Sequence, residues 1–478
     1  MTDAYSVGQL LGNRIAQTPP PGDASNRVAT TQFVSALPIN PVLYGADPSG
    51  VADSSAAFNN ALAALPAAGG LIYFPPGKFK FNSQISYTLL GTLQSVVIEG
   101  SGIDSTILTW PSTGGGMQFN LSSAQHTVHC RNLTLTTSQA AGGTALGISN
   151  SSSLGNFPGC EISNVTICGE DRTALSNYWT TALSLSEVSG TNIDSVTVFG
   201  NAAGTLGTGI NIIGGGGASI VTNIQRSSFF NVGTGISIGA NAQGITIEGC
   251  NFTNGTTGIS GAASVSGQTQ LYVAGSQFNV LGDGIVINSA FGDLMFYGNL
   301  FLVASGHNGI NLPASNTLVI SGNVFAAVSV LNGTGITAGT TTGGANVISN
   351  NTFTFLLVGL AITGNNINVQ GNFFVANTTA LTNSGSGNVI ANNAGYNPVG
   401  ISAAANVGAS PATITAGASP ETHYLKQGAT NTATVTKGGQ QVAALVNAST
   451  FYVVELGPNE SYVVTWATTQ PTFTKDIH

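Results

Sequence analysis

In a chain of which only 6% is charged, acidic residues that gather are candidates for chemistry. Glu170, Asp171, Glu187 and Asp194 fall in one stretch, together with Arg172, Tyr178 and Trp179. Two carboxylates suffice to hydrolyse a glycosidic bond, one as acid and the other as base or nucleophile. Tyr178 and Trp179 can stack on sugar rings, since an aromatic ring joins an apolar face to a polar rim. Arg172 can hold the carboxylate of an acidic sugar. The same residues also fit a solvated loop with a local Asp171–Arg172 pair and an aromatic contact to a neighbouring subunit.

A second constellation is Gly282-Asp283-Gly284-Ile285, followed by His307-Asn308-Gly309-Ile310. Aligning the glycines places Asp283 over Asn308, with His307 beside them. Asp283 also reads as a turn residue next to glycine, because Thr234, Thr257 and Thr334 hold the equivalent place.

The elements that must position these groups are set by a repeat. Phe229, Phe252, Phe278, Phe301, Phe325, Phe353 and Phe374 recur at steps of 21 to 28 residues, each within a similar phrase. Such a period, with short alternating strands, marks a solenoid. A second phrase follows each anchor: Gly235-Ile236, Gly258-Ile259, Gly284-Ile285, Gly309-Ile310 and Gly335-Ile336. The two phrases predict two sheets per coil, joined by turns at glycine. Asn299, Asn323, Asn351 and Asn372 stand two before the anchor, which predicts a hydrogen-bonded asparagine ladder. Upstream the anchors Leu133, Val165, Val196 and Phe229 are 31 to 33 residues apart. The extra residues there predict loops on one face, and they contain the first candidate site.

Composition excludes several classes. The formal charge is -8, and 10 Lys+Arg spread over 478 residues form no basic patch for nucleic acid. No apolar run reaches the ~18 residues of a membrane span. Met1-Thr2-Asp3-Ala4-Tyr5 does not open a secretory signal. Cys130, Cys160, Cys168 and Cys250 form no CxxC pair, which argues against zinc and for buried thiols. No run of aspartates reads as a calcium loop, so neither metal nor cofactor is expected.

The chain divides into residues 1–40 as a head, 41–83 as a capping helix and first strand, 84–400 as the solenoid, and 401–478 as a small β module. Gly22-Asp23-Ala24-Ser25-Asn26-Arg27-Val28 through Val34, after Pro19-Pro20-Pro21, resembles a segment that recurs near the ends of bacteriophage tail-fibre and tailspike proteins. Tyr44-Gly45-Ala46-Asp47 through Phe58, then Gly69-Gly70-Leu71-Ile72-Tyr73-Phe74, resembles the start of the pectate-lyase-like β-helix superfamily. In that block Asp47 and Asp53 read as braces of the turn and helix. Asp283-Gly284 and His307 are similar to part of the polygalacturonase motif. His307-Asn308 stands where that family has paired aspartates, and no Arg-Ile-Lys follows.

The resemblance implies an all-β chain, a right-handed parallel β-helix with a short N-terminal helical cap. It also implies a homotrimer that binds, and often cleaves, a bacterial surface polysaccharide. Residues 1–40 would then attach to a phage tail or baseplate protein, and the protein would be a virion component released by lysis. A glycoside hydrolase is favoured over a lyase. A non-catalytic receptor-binding or structural tail protein, and a bacterial polysaccharide lyase, remain open alternatives.

Overall fold

A computed structural model describes residues 38–91, 94–151, 159–214, 219–261, 269–287, 291–327, 331–339, 345–396, 405–417, 420–427, 432–446 and 451–477. The head expected over residues 1–40 lies outside them up to residue 37.

The chain forms a right-handed parallel β-helix. Among the described residues, one sheet has 23 strands and a second has 12. The larger sheet is two parallel ladders that share three long strands, Thr127–Thr137, Glu161–Gly169 and Thr191–Phe199. Ladder A runs from Gly69–Phe74 to Val389–Ala391, and ladder B from Ser49–Asp53 to Phe373–Val375. The 12-stranded sheet is ladder C, from Ile85–Thr88 to Thr379–Asn383. Each coil contributes to A, then B, then C, and rises by one strand spacing, about 4.8 Å.

The repeat residues stack as their spacing predicts. Phe252, Phe278, Phe301 and Phe325 lie in register on ladder B. Their rings are 4.6 to 4.7 Å apart and tilted by only 7°. Each is buried, and full burial of such a side chain contributes roughly 1.5–3 kcal/mol. The Gly-Ile phrase forms ladder C, and the ring explains its glycine. A Cβ on Gly258 would stand 2.6 Å from the Phe278 ring and 2.5 Å from the Gly284 carbonyl oxygen. The sequence therefore pairs each phenylalanine with a glycine that its ring can lie against.

The asparagine ladder is also present. Asn323 Oδ1 accepts from the backbone N–H and the Nδ2 of Asn299, each at 2.9 Å. Asn323 Nδ2 donates to Phe296 O at 3.0 Å and to Asn351 Oδ1 at 2.9 Å. Each side chain thus satisfies a buried backbone group at the A–B corner in the neighbouring coils. The row continues past Asn372 to Asn393.

The first coil is closed by the helix Ser55–Ala63, which buries Phe58, Ala61 and Leu62. Alanine-rich and unbranched residues favour it. Phe58 meets Phe74 edge-on at 4.9 Å, which caps the end of the core. Asp47 braces the turn before it by accepting from the N–H groups of Ser49, Val51 and Ala52. Those bonds, with that from the Ser49 hydroxyl foremost, lower its carboxyl to about 2. Asp53 accepts from Ser55 and Asn82. Past the solenoid, two four-stranded antiparallel sheets share a separate core that includes Leu425, Val435 and Tyr462. All four cysteines are buried free thiols.

Candidate functional site

The acidic stretch read from sequence does not form one site. A coil turns fully around within about thirty residues, so residues 170 to 194 pass along three sides of the solenoid. Glu170 and Asp171 follow the ladder B strand Glu161–Gly169, Glu187 follows the ladder C strand Thr181–Ser186, and Asp194 lies on ladder A.

On the ladder B side, the polar groups bind one another. Glu170 pairs with Lys78 at 3.0 Å and accepts from the Thr109 hydroxyl. Arg172 does not pair with Asp171; it reaches back to Asp104, with one contact at 3.0 Å. That guanidinium, helped by Thr134, holds the Asp104 carboxyl below its usual range. Arg172 Nε also donates to Cys168 Sγ at 3.2 Å. Asp171 accepts from the N–H groups of Ser176 and Asn177, closing its own loop. Burial pushes the Asp171 carboxyl up, and the Ser176 and Asn177 bonds outweigh it, so it lies below the ordinary value.

Trp179 corrects the expectation of a sugar-stacking ring. It is only 3% exposed and meets Trp110 edge-on at 6.1 Å. It is a core residue, packed inside the coil just before the ladder C strand Thr181–Ser186. Tyr178 is half-buried and bridges to Ala140. Glu187 takes φ 58° at the C–A corner, and its N–H donates to Ile213 O at 2.8 Å.

The second constellation is assembled as the glycine alignment predicts. Asp283 accepts from Asn308 N at 2.8 Å and from Asn311 Nδ2 at 3.0 Å. His307 Nδ1 lies 3.5 Å from Asp283 Oδ1. Asp283 thereby replaces the threonine of other coils and fastens two neighbouring strands of ladder C.

Asp194 belongs to a different company. The outward face of ladder A carries two columns of side chains in exact register from coil to coil. One reads Val97, His129, Glu161, Asn192, Asn223; the other reads Glu99, Arg131, Ser163, Asp194, Gln225. His129 Nδ1 is 3.4 Å from Glu161 Oε2, and Ser163 donates to Glu161 Oε1 at 2.8 Å. Arg131 donates twice to Glu99 Oε2, at 2.9 and 3.0 Å. Arg226 Nη2 donates to Asp194 Oδ2 at 2.7 Å. Glu161 and Asp194 stand on adjacent coils, one strand spacing apart and two residues displaced, which sets their Cα atoms about 8 Å apart.

Glu161 and His129 were not candidates from sequence, yet the signal was there. They lie four residues before the anchors Val165 and Leu133, which are in register on the ladder. Charge clustering along the chain concealed clustering across coils.

Comparisons with known proteins agree with the fold. Residues 39–260 match the family model described as "Rhamnogalacturonase A/epimerase, pectate lyase-like". Residues 189–403 match that described as "Periplasmic copper-binding protein (NosD)". The resemblance to pectate-lyase-like β-helix proteins, read from the first coil, is therefore borne out. Similar solved structures include PfbA, a surface adhesin of Streptococcus pneumoniae, at 14% identity and TM-score 0.47, covering 74% of this chain and 93% of that one. A tailspike protein mutant of E. coli bacteriophage HK620 is similar at 10% identity and TM-score 0.49, covering 97% of each. ORF18 of Geobacillus virus E2 is similar at 15% identity and TM-score 0.44, covering 91% of this chain and 77% of that one. No curated protein matches the sequence.

Copper does not fit the residues present. It needs clustered nitrogen or sulfur ligands. In residues 189–403 these would be His307, Cys250 and Met295. His307 precedes a ladder C strand, Cys250 is buried, and Met295 lies on ladder A. Among the described residues, no group of three or more His, Cys, Asp or Glu side chains comes together to hold a metal.

Proposed function

We propose that this chain is a tailspike-like protein that binds a bacterial surface polysaccharide along the outward face of ladder A and hydrolyses it there. The observation that carries the reading is the placement of Glu161 and Asp194 on adjacent coils of one solvent-facing surface. Glu161 leans toward His129 on the coil before and Asp194 toward Arg226 on the coil after, so their carboxyl groups stand at least about as far apart as their backbones. Carboxyl groups roughly 6.5–9.5 Å apart leave room for a water between base and sugar, the inverting arrangement. His129 and Ser163 orient Glu161, and Arg226 holds Asp194. The matched family, described as rhamnogalacturonase A/epimerase, supports action on a polysaccharide.

Of the carboxylates singled out from sequence, Asp194 is retained in this site. Glu170 and Asp171 are engaged in bracing the ladder B side of the coil, and Glu187 lies at the C–A corner. The tailspike-like reading also carries a homotrimer, fixed to a phage tail or baseplate through residues 1–40. Sedimentation of the full chain tests the trimer.

A second reading, binding without cleavage, is favoured by one observation: Glu99, Glu161 and Asp194 all have partners already. One assay separates the two. The chain is incubated with capsule or lipopolysaccharide from candidate hosts, and new reducing ends are measured alongside ultraviolet absorbance. Reducing ends without absorbance are expected. An unsaturated, absorbing product would mean a lyase, and binding with neither product would leave a receptor-binding protein.

A further inference from the structure

We infer that the glycan on this face is uncharged, and that Tyr272, Met295 and Tyr297 form its apolar seat. The inference rests on the glycan reading above and deepens it.

The charge distribution carries it. Between Arg226 and Lys426 the sequence contains no lysine or arginine. Ladder A from Ala242 to Ala391 therefore offers no permanent cation, while Glu248 lies on its outward column and Asp293 at its margin. The cations nearer the carboxylates are engaged: Arg131 by Glu99, and Arg226 by Asp194. Arg172 lies on another side, held by Asp104. A polyuronate or phosphoglycan needs a donor or cation for its recurring anions. Laid on this face it would meet carboxylates instead.

What the face does offer is apolar and aromatic. Past Glu248, the two columns read Tyr272, Met295, Val319, Val347 and Ala274, Tyr297, Ser321, Ser349. The Tyr272 and Tyr297 rings lie 5.9 Å apart at 39°, and Met295, on the strand of Tyr297 and in register with Tyr272, is 40% exposed. Such rings bind the C–H face of a sugar and keep a phenol for its hydroxyls. Tyr272 follows Asp194 by three coils and Tyr297 by four, a span of roughly 14 to 19 Å along the axis. A chain of several sugar rings lying parallel to the axis would reach from the tyrosines to Glu161 and Asp194.

The test is an array of bacterial polysaccharides of known composition, some uncharged and some bearing uronate or phosphate. Wild type and a Tyr272→Ala, Tyr297→Ala variant are compared at about 0.05 and about 0.5 M NaCl, which brackets strong and weak screening. The expected result is binding to uncharged polymers only, changed less than about twofold by salt and weakened about tenfold or more in the variant at unchanged melting temperature. Salt-sensitive binding to a uronate or phosphate polymer would overturn the inference and leave glycan binding intact. Uncharged binding indifferent to the tyrosines would overturn the seat. Binding to no polymer would overturn the glycan reading itself, and this inference with it.

Discussion

Arg226 donates to Asp194 at 2.7 Å from a backbone position, φ 48°, that disfavours any side chain. The equivalent corners of neighbouring coils carry Asn132, Asn164, Ser195, Gly249 and Gly275, all at positive φ. Glycine or asparagine, which four of these five corners carry, fits the physical need, since a left-handed residue costs an ordinary side chain roughly 1–2 kcal/mol. Arginine departs from that pattern at the one corner where its guanidinium reaches Asp194.

Replacing Arg226 by Gly therefore separates stability from function. Relief of strain opposes loss of an exposed ion pair worth about 0–1 kcal/mol. The variant should melt at the same temperature or higher, with a stability gain of up to about 2 kcal/mol, while cleavage falls. A clear loss of stability by thermal denaturation would show that the arginine serves the fold.

The asparagine ladder makes a second prediction. Asn323→Ala leaves the buried Asn299 N–H without its acceptor and removes a donor to the Phe296 carbonyl, at a cost of about 1–3 kcal/mol. Exposed Asn251→Ala, three coils earlier on ladder B, should change stability little. Denaturant midpoints of the two variants measure the difference, and equal midpoints would argue against the ladder.

Gly258→Ala tests the coupling of ladders B and C. The added methyl meets the Phe278 ring and the Gly284 backbone together, so neither can yield alone. Overpacking of this kind costs typically about 1–3 kcal/mol. A melting temperature equal to wild type would mean that the two ladders can slide apart freely.

The C-terminal sheets should weaken in acid. Glu421 is buried, which pushes its carboxyl up, but hydrogen bonds from Lys475, His423 and the Gly417 N–H outweigh burial and hold it below the ordinary value. A carboxyl lowered in the folded state stabilises above its unfolded value, and that stability is lost as pH falls through the folded one. Protection from hydrogen exchange in the strands Glu421–Lys426, Ala433–Lys437 and Ser461–Trp466, corrected for the intrinsic pH dependence of exchange, should therefore fall as pH drops below about 4. Glu421→Gln should flatten that dependence, and an unchanged profile would count against it.

Much of the architecture was legible because a solenoid writes its contacts into its period. Phe252 and Phe278 touch since they are one coil apart, and Gly258 and Gly284 are spaced to match. The site was less legible for the same reason. Glu170 and Asp194 are near in sequence but on different sides of the coil, whereas His129 and Glu161 are 32 residues apart and touch. Trp179 is aromatic and follows a polar loop, yet the turn into ladder C buries it. Neighbours across coils, found by counting from Leu133 and Val165, locate the charged face; neighbours along the chain do not.

The measurement that bears most directly on the account is the release of reducing ends from a bound bacterial polysaccharide by three variants. Glu161→Gln and Asp194→Asn should each abolish release with binding and melting temperature kept, and Glu170→Gln should retain it. Loss of release in Glu170→Gln, with full release in the other two, would contradict the assignment of the active face to ladder A.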